Sequence, residues 1–355
     1  MKIEQYLVYA DATIREAITV IDANRCGAVV VVDKERRLVG VATDGDVRRA
    51  ILDNVELSKP VTVLLERRPK QLYPAPVSAL VDLDDAGRLS LMQKNKIRHL
   101  PIVSENNKVV DFVLLDRLLG TSGLDLTAVV MAGGYGKRLH PLTETVPKPM
   151  LSVQGKPLLE RLIQRLREDG IRNVHVTTNY KGEDIIQHFG DGNGFGVEMG
   201  YVAESEPLGT AGSLRLLDPP KGPFLVINGD ILTKVNFRSM LAFHLDHEAE
   251  MTVAVRQYTV EVPYGVIDVN GMDVLGVQEK PCITSLINAG IYLLNPSVLE
   301  FIPKSEGKFD MTTLINMLVA ARKRVVSFPV REYWLDIGHI DDYERAQADV
   351  GNGRF

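Results

Sequence analysis

The stretch that most constrains the fold is residues 128–139, where an apolar run leads directly into three closely spaced glycines. An apolar run without alternation is typical of a strand that is buried on both faces. Glycine then allows the backbone to turn with positive φ angles and to direct successive N–H groups at an anion. These residues therefore predict a phosphate-binding loop after a central strand, with Arg138 and Lys148 as its cations.

Two common glycine-rich motifs fit this loop poorly. A P-loop requires Lys-Ser or Lys-Thr after its last glycine, and a dinucleotide-binding fingerprint requires a further glycine. Lys137, Arg138 and Leu139 occupy those positions here. The loop is therefore predicted to belong to neither class.

The pattern Ala-Gly-Gly-x-Gly-x-Arg-Leu-x-Pro-Leu-Thr begins at Ala132 and is followed by Pro-Lys-Pro at residues 147–149. It resembles the signature of the sugar-1-phosphate nucleotidyltransferases, and the resemblance extends to about residue 345. The resemblance implies that Arg138 and Lys148 are catalytic cations and that the loop binds a nucleotide. Many relatives carry Thr or Ser where this chain has Lys137. The implied nucleotide contacts in the loop are Ala132, Gly133, Gly134, Gly136 and Lys137.

Charge and composition narrow the class of protein. The 355 residues have near-average apolar and charged fractions. The formal net charge is -5, and positive and negative residues are interspersed along the chain. A basic patch would be the mark of nucleic-acid binding, so no nucleic-acid partner is expected. The absence of an apolar signal core and of a membrane-length apolar run favours a cytoplasmic protein without a membrane partner. Cys26 and Cys282 are predicted to be buried, reduced thiols and not zinc ligands.

The first 120 residues contain one pattern twice, with a period of roughly 71 residues. The first copy predicts a helix over residues 13–24 with Thr13 as its N-cap, strands over 28–32 and 38–41, a turn at 44–46 and a helix from near Val47. The second copy predicts a helix over 83–95 and strands over 100–103 and 109–115. Two such units are expected to pack as one pseudo-symmetric domain.

The pattern Leu-Val-Gly-Val-x-Thr-Asp-Gly-Asp in the first copy and Lys-Ile-Arg-His-Leu-Pro-Ile-Val in the second resemble a tandem pair of CBS domains. In that family a Thr-x-x-Asp element holds the phosphate and ribose of an adenosine ligand, which implies Thr43 and Asp46 here. The second copy lacks the element. The alternative is a structural or dimerising module without a ligand, in which Asp46 caps its helix.

These patterns predict three segments: a tandem CBS module over residues 1–120, a linker over 121–125 and a nucleotidyltransferase domain over 126–355. In the last segment, apolar strands near 174–178 and 224–227 alternate with helices near 181–189 and 237–247. The predicted fold class is α/β, a doubly wound, mixed and mainly parallel sheet, preceded by an α+β module. We also expect a homo-oligomer.

Further site residues are implied by the same resemblance. Asp230 and Asp336 each follow an apolar strand and are assigned to one Mg²⁺, which prefers oxygen ligands. Lys280 is assigned to the sugar phosphate. The implied sugar contacts are Glu279 and Asn288, with Tyr264 and Gly265 shaping the pocket.

The resemblance assigns residues 201–212 to the part of the site that faces the base of the nucleotide, with Gly209 and Thr210 as nucleotide contacts. Glu204 stands where uridylyl- and thymidylyltransferases commonly carry Gln. A carboxylate can only accept hydrogen bonds, and guanine offers paired donors, so Glu204 favours GTP. A salt-bridged or solvated Glu204 is the competing interpretation.

The predicted activity is Mg²⁺-dependent formation of an NDP-sugar and pyrophosphate from an NTP and a sugar 1-phosphate. The order of the CBS module and the transferase domain resembles the glucosamine-1-phosphate guanylyltransferases that feed legionaminic acid synthesis, which favours GTP and glucosamine 1-phosphate. Mannose- or heptose-1-phosphate guanylyltransferases are the alternative, followed by uridylyl- or thymidylyltransferases. A non-catalytic nucleotide sensor is the hypothesis from another class.

Overall fold

A computed structural model describes residues 3–67, 76–118, 124, 126–304 and 307–355. The chain divides into two units. Residues 1–124 form the first unit together with 236–243, and residues 125–235 and 244–355 form the second. The predicted linker lies almost entirely outside the described residues. Among the described residues, no helix has the length and apolar character that a membrane crossing requires.

The first copy of the N-terminal repeat folds around a three-stranded sheet in the order β1-β2-β3. The predicted strands and helix are confirmed, and Thr13 caps α1 through a capping box with Glu16. The predicted turn at residues 44–46 is wrong, because Thr43 caps α2 and the helix already begins at Asp44. The elements are β1 (Leu7–Tyr9), α1 (Ile14–Asn24), β2 (Ala28–Val32), β3 (Leu38–Thr43), α2 (Asp44–Leu52) and α3 (Thr62–Glu66).

The second copy repeats this arrangement with the sheet β4-β5-β6. A buried cluster joins the copies, since Val30 and Val32 of β2 pack with Val103, Val109 and Phe112 of the second sheet. The two copies therefore share one core, as the repeat predicts. The elements are β4 (Ala79–Leu80), α4 (Asp85–Lys94), β5 (His99–Val103), β6 (Val109–Leu114) and α5 (Leu115–Leu118).

The second unit is built on a seven-stranded sheet in the order β11-β10-β7-β12-β17-β14-β18. Strands β11, β10, β7 and β12 are mutually parallel, and β17 runs antiparallel to β12 and β14. The mixed α/β sheet is thus confirmed. The first elements are β7 (Thr127–Met131), β8 (Ser152–Val153), β9 (Lys156–Pro157), α6 (Leu158–Glu168), β10 (Asn173–Thr178), α7 (Gly182–Phe189), β11 (Glu198–Ala203), α8 (Gly209–Gly212) and β12 (Phe224–Asn228).

The remaining elements complete the sheet and add two small ribbons. They are β13 (Ile231–Thr233), α9 (Phe237–Asp246), β14 (Met251–Glu261), β15 (Val266–Asn270), β16 (Asp273–Gln278), β17 (Cys282–Leu294), α10 (Met311–Ala320), β18 (Val325–Pro329), β19 (Trp334–Asp336) and α11 (Ile340–Gly351). Sequence reasoning placed the start of a strand at Asn288, but β17 begins at Cys282. Cys282 is exposed and Cys26 is partly buried, so the prediction of buried thiols is wrong for Cys282.

Strand register brings the loops of the second unit to one edge. Met131 at the end of β7 lies opposite Thr177 of β10 and Asn228 of β12. Because parallel strands end at the same edge, the residues after these three strands converge there. β13 pairs antiparallel with β19, and Ile231 lies opposite Asp336. This ribbon carries the second predicted carboxylate to the loop that contains Asp230.

Phe224 lies at the start of central strand β12 and is completely buried in the apolar cluster of the second unit. We expect Phe224→Ala to lower the free energy of unfolding of this unit by about 3–5 kcal/mol, because the cavity cannot fully collapse. Leu216→Ala is the control, since Leu216 is 49% exposed. Trp334 is the only tryptophan in the sequence, so its fluorescence during urea unfolding follows the second unit. Equal shifts for the two variants would contradict the assigned core.

Candidate active site

The glycine loop presents unused backbone donors. Within residues 126–304, all of which are described, the N–H groups of residues 133–136 donate to no protein acceptor. Gly136 has a φ of 62°, and a Cβ at this position would lie 3.0 Å from Thr143 and 3.1 Å from Lys148. The buried Thr143 fixes the turn, because its hydroxyl donates to the Gly136 carbonyl at 2.9 Å. The loop therefore presents successive backbone donors that an anion could accept, and its phosphate-binding role stays a prediction.

A cavity of ≈ 230 Å³ lies against this loop. Lys137 and Arg138 line it with exposed side chains, and Lys148 and Asp230 form another part of its wall. The structure thus brings together both predicted cations and one predicted metal ligand. The full lining is Gly134, Gly136, Lys137, Arg138, Leu139, Lys148, Asp230 and Gly338.

The two carboxylates form an acidic pair beside Lys148. Lys148 Nζ donates to Asp230 Oδ2 in an ion pair. The other oxygen, Asp230 Oδ1, is buried and has no hydrogen-bond partner among the described residues. Desolvation and the charge of Asp230 raise the pKa of Asp336 to about 6, although Lys148 and Arg138 oppose this shift. Two carboxylates so placed repel each other unless a cation or a proton compensates them.

This donor set fits a magnesium ion that binds together with substrate. The described residues contain no group of three or more His, Cys, Asp or Glu side chains that could enclose a metal ion. Mg²⁺ usually takes one or two carboxylates, keeps several waters and uses substrate phosphates as further ligands. Asp230, with its unpartnered buried oxygen, and Asp336, with its raised pKa, supply such a pair.

Glu204 lies beside the glycine loop at the end of β11. Its Oε1 is 2.9 Å from the position that a Cβ on Gly133 would take. Its Oε2 accepts a hydrogen bond from the Leu208 N–H at 3.1 Å. Desolvation raises the pKa of Glu204, while the hydrogen bonds from Leu208 and Thr177 oppose the rise. The carboxylate is therefore oriented by its own turn, and it makes no ion pair with the residues that the structure describes.

Gly209 and Thr210 begin α8 and pack against Asp310. The Thr210 N–H donates to Asp310 Oδ1 at 3.1 Å, and its hydroxyl accepts from the Met311 N–H at 2.9 Å. A side chain on Gly209 would also collide with Asp310 and the Phe309 carbonyl. The Thr210 hydroxyl is thus engaged in holding this turn, and the nucleotide contact assigned to it stays a prediction.

The predicted sugar residues do not line the cavity. Tyr264 is 75% exposed, and Glu279 and Lys280 are also exposed. A Cβ on Gly265 would lie 3.1 Å from Glu279 Oε2, so these two residues are neighbours. Asn288 lies apart on β17, where its amide donates to the Tyr292 hydroxyl at 2.8 Å. Their roles toward a sugar stay predictions.

Sequence reasoning missed hydrogen bonds that two residues make close to the predicted site residues. Asn179 follows β10, and its amide donates to the Glu204 carbonyl at 2.8 Å. Trp334 donates from Nε1 to the Ala289 carbonyl at 2.8 Å and lies two residues before Asp336. A polar residue directly after a buried strand was an available signal for Asn179. No local signal pointed to Trp334, because its partner lies on a different strand.

The family model for nucleotidyl transferases matches residues 127–353, which contain the glycine loop and both carboxylates. The chain belongs to the nucleotidyl transferase family. The CBS domain model matches residues 4–53 and 75–122, so a tandem CBS module precedes the transferase domain.

Two curated relatives of this transferase are guanylyl-transferring enzymes by name. The mannose-1-phosphate guanyltransferase of Yarrowia lipolytica is 33% identical over 228 residues, which is 61% of this chain and 62% of the relative. The mannose-1-phosphate guanylyltransferase catalytic subunit beta of Drosophila pseudoobscura pseudoobscura is 34% identical over 232 residues, 63% of this chain and 62% of the relative. The chain therefore spans less than two thirds of the length of these relatives.

Solved structures share the fold of the transferase. HddC from Yersinia pseudotuberculosis aligns with a TM-score of 0.50 and 28% identity, covering 63% of this chain and 99% of HddC. A Bacillus anthracis protein assigned as a glucose-1-phosphate thymidylyltransferase aligns with a TM-score of 0.53 and 24% identity, covering 63% and 94%. At 24% identity, the similarity to the Bacillus anthracis protein supports the fold alone.

The two residues predicted to bind an adenosine ligand in the CBS module contact each other at the start of α2. The Thr43 N–H and hydroxyl donate to Asp46 Oδ2 at 2.8 and 2.7 Å. Asp46 is buried and its other oxygen accepts from Arg49 at 2.7 Å. This capping box shows that Asp46 stabilises the start of α2, and an adenosine ligand at Thr43 and Asp46 stays a prediction.

Gly136→Ala and Gly155→Ala form a matched pair for the glycine loop. Both glycines have positive φ angles, 62° and 78°, so each substitution strains the backbone by about 1–2 kcal/mol. Only the Gly136 Cβ would crowd its neighbours, at 3.0 Å from Thr143 and 3.1 Å from Lys148, since nothing lies within 4 Å of Gly155. We expect Gly136→Ala to weaken tripolyphosphate binding at least about tenfold in calorimetry, which corresponds to 1.4 kcal/mol, and Gly155→Ala to leave it unchanged. Equal affinities would contradict the assigned loop.

Proposed function

We propose that this chain transfers a nucleotidyl group from a nucleoside triphosphate to a sugar 1-phosphate and releases pyrophosphate. The observation that carries the proposal is the cavity at the glycine loop. It combines unused backbone N–H donors, the cations Arg138 and Lys148, and the carboxylate of Asp230, with Asp336 nearby. A triphosphate and its metal ion need these groups in one place.

The chemistry requires little beyond positioning and charge neutralisation. An oxygen of the sugar phosphate attacks the α-phosphorus in line, the bond to the β-phosphate oxygen breaks, and pyrophosphate leaves with that electron pair. Arg138 and the loop N–H groups stabilise the negative charge that develops on the phosphate oxygens. Lys148 holds Asp230 in place and neutralises part of the acidic pair. A magnesium ion on Asp230 and Asp336 would supply further charge neutralisation at the α-phosphate.

We propose GTP as the nucleotide. Glu204 places an acceptor-only carboxylate beside the loop, and its hydrogen bonds from Leu208 and Thr177 leave about two of its four acceptor sites for a base. Guanine offers two adjacent donors to such a group. The names of the guanylyl-transferring relatives support the same base.

Glucosamine 1-phosphate is our proposal for the sugar, because a CBS module precedes the transferase domain as in the resembling guanylyltransferases. Mannose 1-phosphate is the second candidate, since the curated relatives carry that name. Pyrophosphate release with GTP and each of glucosamine, mannose and heptose 1-phosphates distinguishes them. If the chain binds a nucleotide but releases no pyrophosphate with any pair of GTP and sugar 1-phosphate, the nucleotide-sensor hypothesis would replace the enzyme hypothesis.

The acidic pair generates a prediction about metal dependence. Asp230→Asn or Asp336→Asn removes one negative ligand while keeping the shape of the side chain. We expect either variant to lower kcat for pyrophosphate release by at least about 10²-fold at limiting Mg²⁺, as for lost transition-state electrostatics. Asp341→Asn, an exposed change on α11, is the control. Near-wild-type rates at limiting Mg²⁺ would remove Asp230 and Asp336 from the proposed metal site.

The base assignment generates a second prediction. Glu204→Gln keeps the shape of the side chain but replaces one acceptor that faces guanine with a donor. We expect kcat/KM for GTP to fall about 5- to 150-fold, which corresponds to a loss of roughly 1–3 kcal/mol of transition-state stabilisation. UTP and dTTP should lose less or gain. Glu206→Gln, two residues along on an exposed position, is the matched control. A wild-type preference for a pyrimidine triphosphate would refute the assignment.

A further inference from the structure

Asp310 stands at the N-cap position of α10 but does not cap its own helix. An Asp at this position normally accepts a hydrogen bond from a backbone N–H in the first turn of the helix that follows it. Within α10, all of which is described, the Asp310 side chain accepts no such bond. Its Oδ1 accepts instead from the Thr210 N–H at 3.1 Å, in the first turn of α8. Asp310 thus caps a helix that lies 100 residues earlier in the chain.

Thr210 caps α10 in the same way. Its hydroxyl accepts from the N–H of Met311, the first residue of α10, at 2.9 Å, and donates to Asp310 Oδ1 at 3.4 Å. Leu208 is the N-cap residue of α8, and an apolar side chain has no acceptor for its own helix. Each of the two helices therefore receives its cap from a residue of the other. We call the hydrogen bonds among Thr210, Asp310 and Met311 the mutual cap.

Backbone hydrogen bonds join the same two segments beside the mutual cap. The Phe309 N–H donates to the Leu208 carbonyl at 2.8 Å. The Phe309 carbonyl accepts from the N–H groups of Ala211 and Gly212, each at 2.9 Å. Phe309, Ala211 and Met311 all belong to the buried apolar cluster of the second unit. The start of α8 is thus held against a segment that the core itself fixes.

The mutual cap acts on the carboxylate of Glu204 through Leu208. This buried residue donates its N–H to Glu204 Oε2 at 3.1 Å, while its carbonyl accepts from Phe309. A displacement of α8 would therefore move one of the two hydrogen-bond donors that orient the carboxylate, the other being Thr177. The backbone of Glu204 is fixed separately, since its N–H donates to the Thr178 carbonyl at 2.7 Å. The mutual cap thus sets the direction of the carboxylate and not the position of β11.

We propose that Asp310 is a positioning residue for nucleotide selectivity. The inference rests on the proposed function, in which Glu204 faces the base. In this role Asp310 contacts neither the base nor the phosphates. It holds α8 so that the carboxylate keeps one orientation before the nucleotide binds. A carboxylate without this support must be ordered during binding, which lowers affinity.

The effect of Asp310 should be confined to the base. The proposed phosphate contacts are the glycine loop, Arg138 and Lys148, and none of them makes a hydrogen bond to the mutual cap among the described residues. Every nucleoside triphosphate shares these phosphate contacts, whereas the contact with Glu204 depends on the base. Loss of the mutual cap should therefore reduce the preference for GTP without changing the affinity for tripolyphosphate.

Three substitutions test this role. Asp310→Ala removes the cap of α8, and Asp310→Asn keeps the Oδ1 acceptor. Asp191→Ala is the matched control, because Asp191 is an exposed carboxylate of the same unit that accepts from the Asn193 N–H at 3.0 Å within its own turn. We expect Asp310→Ala to raise KM for GTP about 3- to 30-fold, as for the loss of one helix cap, with kcat nearly unchanged. The ratio of kcat/KM for GTP to kcat/KM for UTP should fall by a similar factor.

Asp310→Asn and Asp191→Ala should keep the wild-type KM, and calorimetry should give one tripolyphosphate affinity for all four proteins. Trp334 fluorescence during urea unfolding checks that each variant is folded. A fall in kcat at unchanged KM, or an Asp310→Asn variant as impaired as Asp310→Ala, would overturn the positioning role. Equal losses for GTP and tripolyphosphate would overturn it as well, because they would indicate general damage to the site.

Thr210→Val separates the mutual cap from a direct nucleotide contact of Thr210. If the hydroxyl acts through the cap, Thr210→Val should raise KM for GTP in the wild type but add little in the Asp310→Ala background. Fully additive effects would show that Thr210 and Asp310 act independently and would overturn the proposal. Thr210→Val also breaks the mutual cap from the other helix if Asp310→Ala does not fold.

Hydrogen exchange without nucleotide tests the mutual cap apart from any activity. The amides of residues 208–212 should exchange faster in Asp310→Ala than in the wild type or in Asp191→Ala, because the Thr210 N–H loses its acceptor. Unchanged exchange would overturn the proposal whatever the kinetics. If exchange rises as expected but the wild type releases no pyrophosphate from any substrate pair, the proposed function fails and the mutual cap stands.

Discussion

The register of the parallel strands β10, β7 and β12 is the constraint on which the site depends. Met131 lies opposite Thr177 and Asn228, so the glycine loop, Asn179 and Asp230 begin at the same edge of the sheet. A slip of one residue would displace one loop by about 3.3 Å and exchange the two faces of the strand. The buried core on both faces of these strands prevents such a slip. Packing far from the cavity thereby fixes the distance between the glycine loop and the carboxylate proposed to bind metal.

The cavity combines positive and negative groups, so that a bound anion and a bound cation would each favour the binding of the other. The backbone N–H groups and Arg138 attract phosphate, while Asp230 and Asp336 attract a cation and repel phosphate. Lys148 links the two sets through its ion pair with Asp230. A metal ion and a triphosphate each remove the charge that disfavours the other, so their binding free energies are coupled. In the proposed function, the acidic pair would therefore admit a nucleotide together with its metal ion.

The sequence was informative where the pattern is local. The apolar run before three glycines predicted β7 and its loop, and the repeat predicted the paired CBS sheets with Thr13 as a cap. It was less informative where the outcome depends on distant partners. The approach of Asp336 to Asp230 follows from the ribbon β13–β19 and came only from family resemblance. The exposure of Cys282 could not be read from its neighbours in the sequence. It follows from the position of Cys282 at the start of β17, whose first half is exposed and whose second half is buried.

The order of the ribbon β13–β19 in the chain has a consequence for biosynthesis. Asp230 is made with the core strands, whereas Asp336 lies in β19, shortly before α11, and reaches its partner strand only when almost the whole domain has left the ribosome. A shorter translation product would keep the glycine loop and its cations but lack half of the acidic pair. If the proposed function holds, such fragments would bind a nucleotide without the carboxylate that completes the proposed metal site.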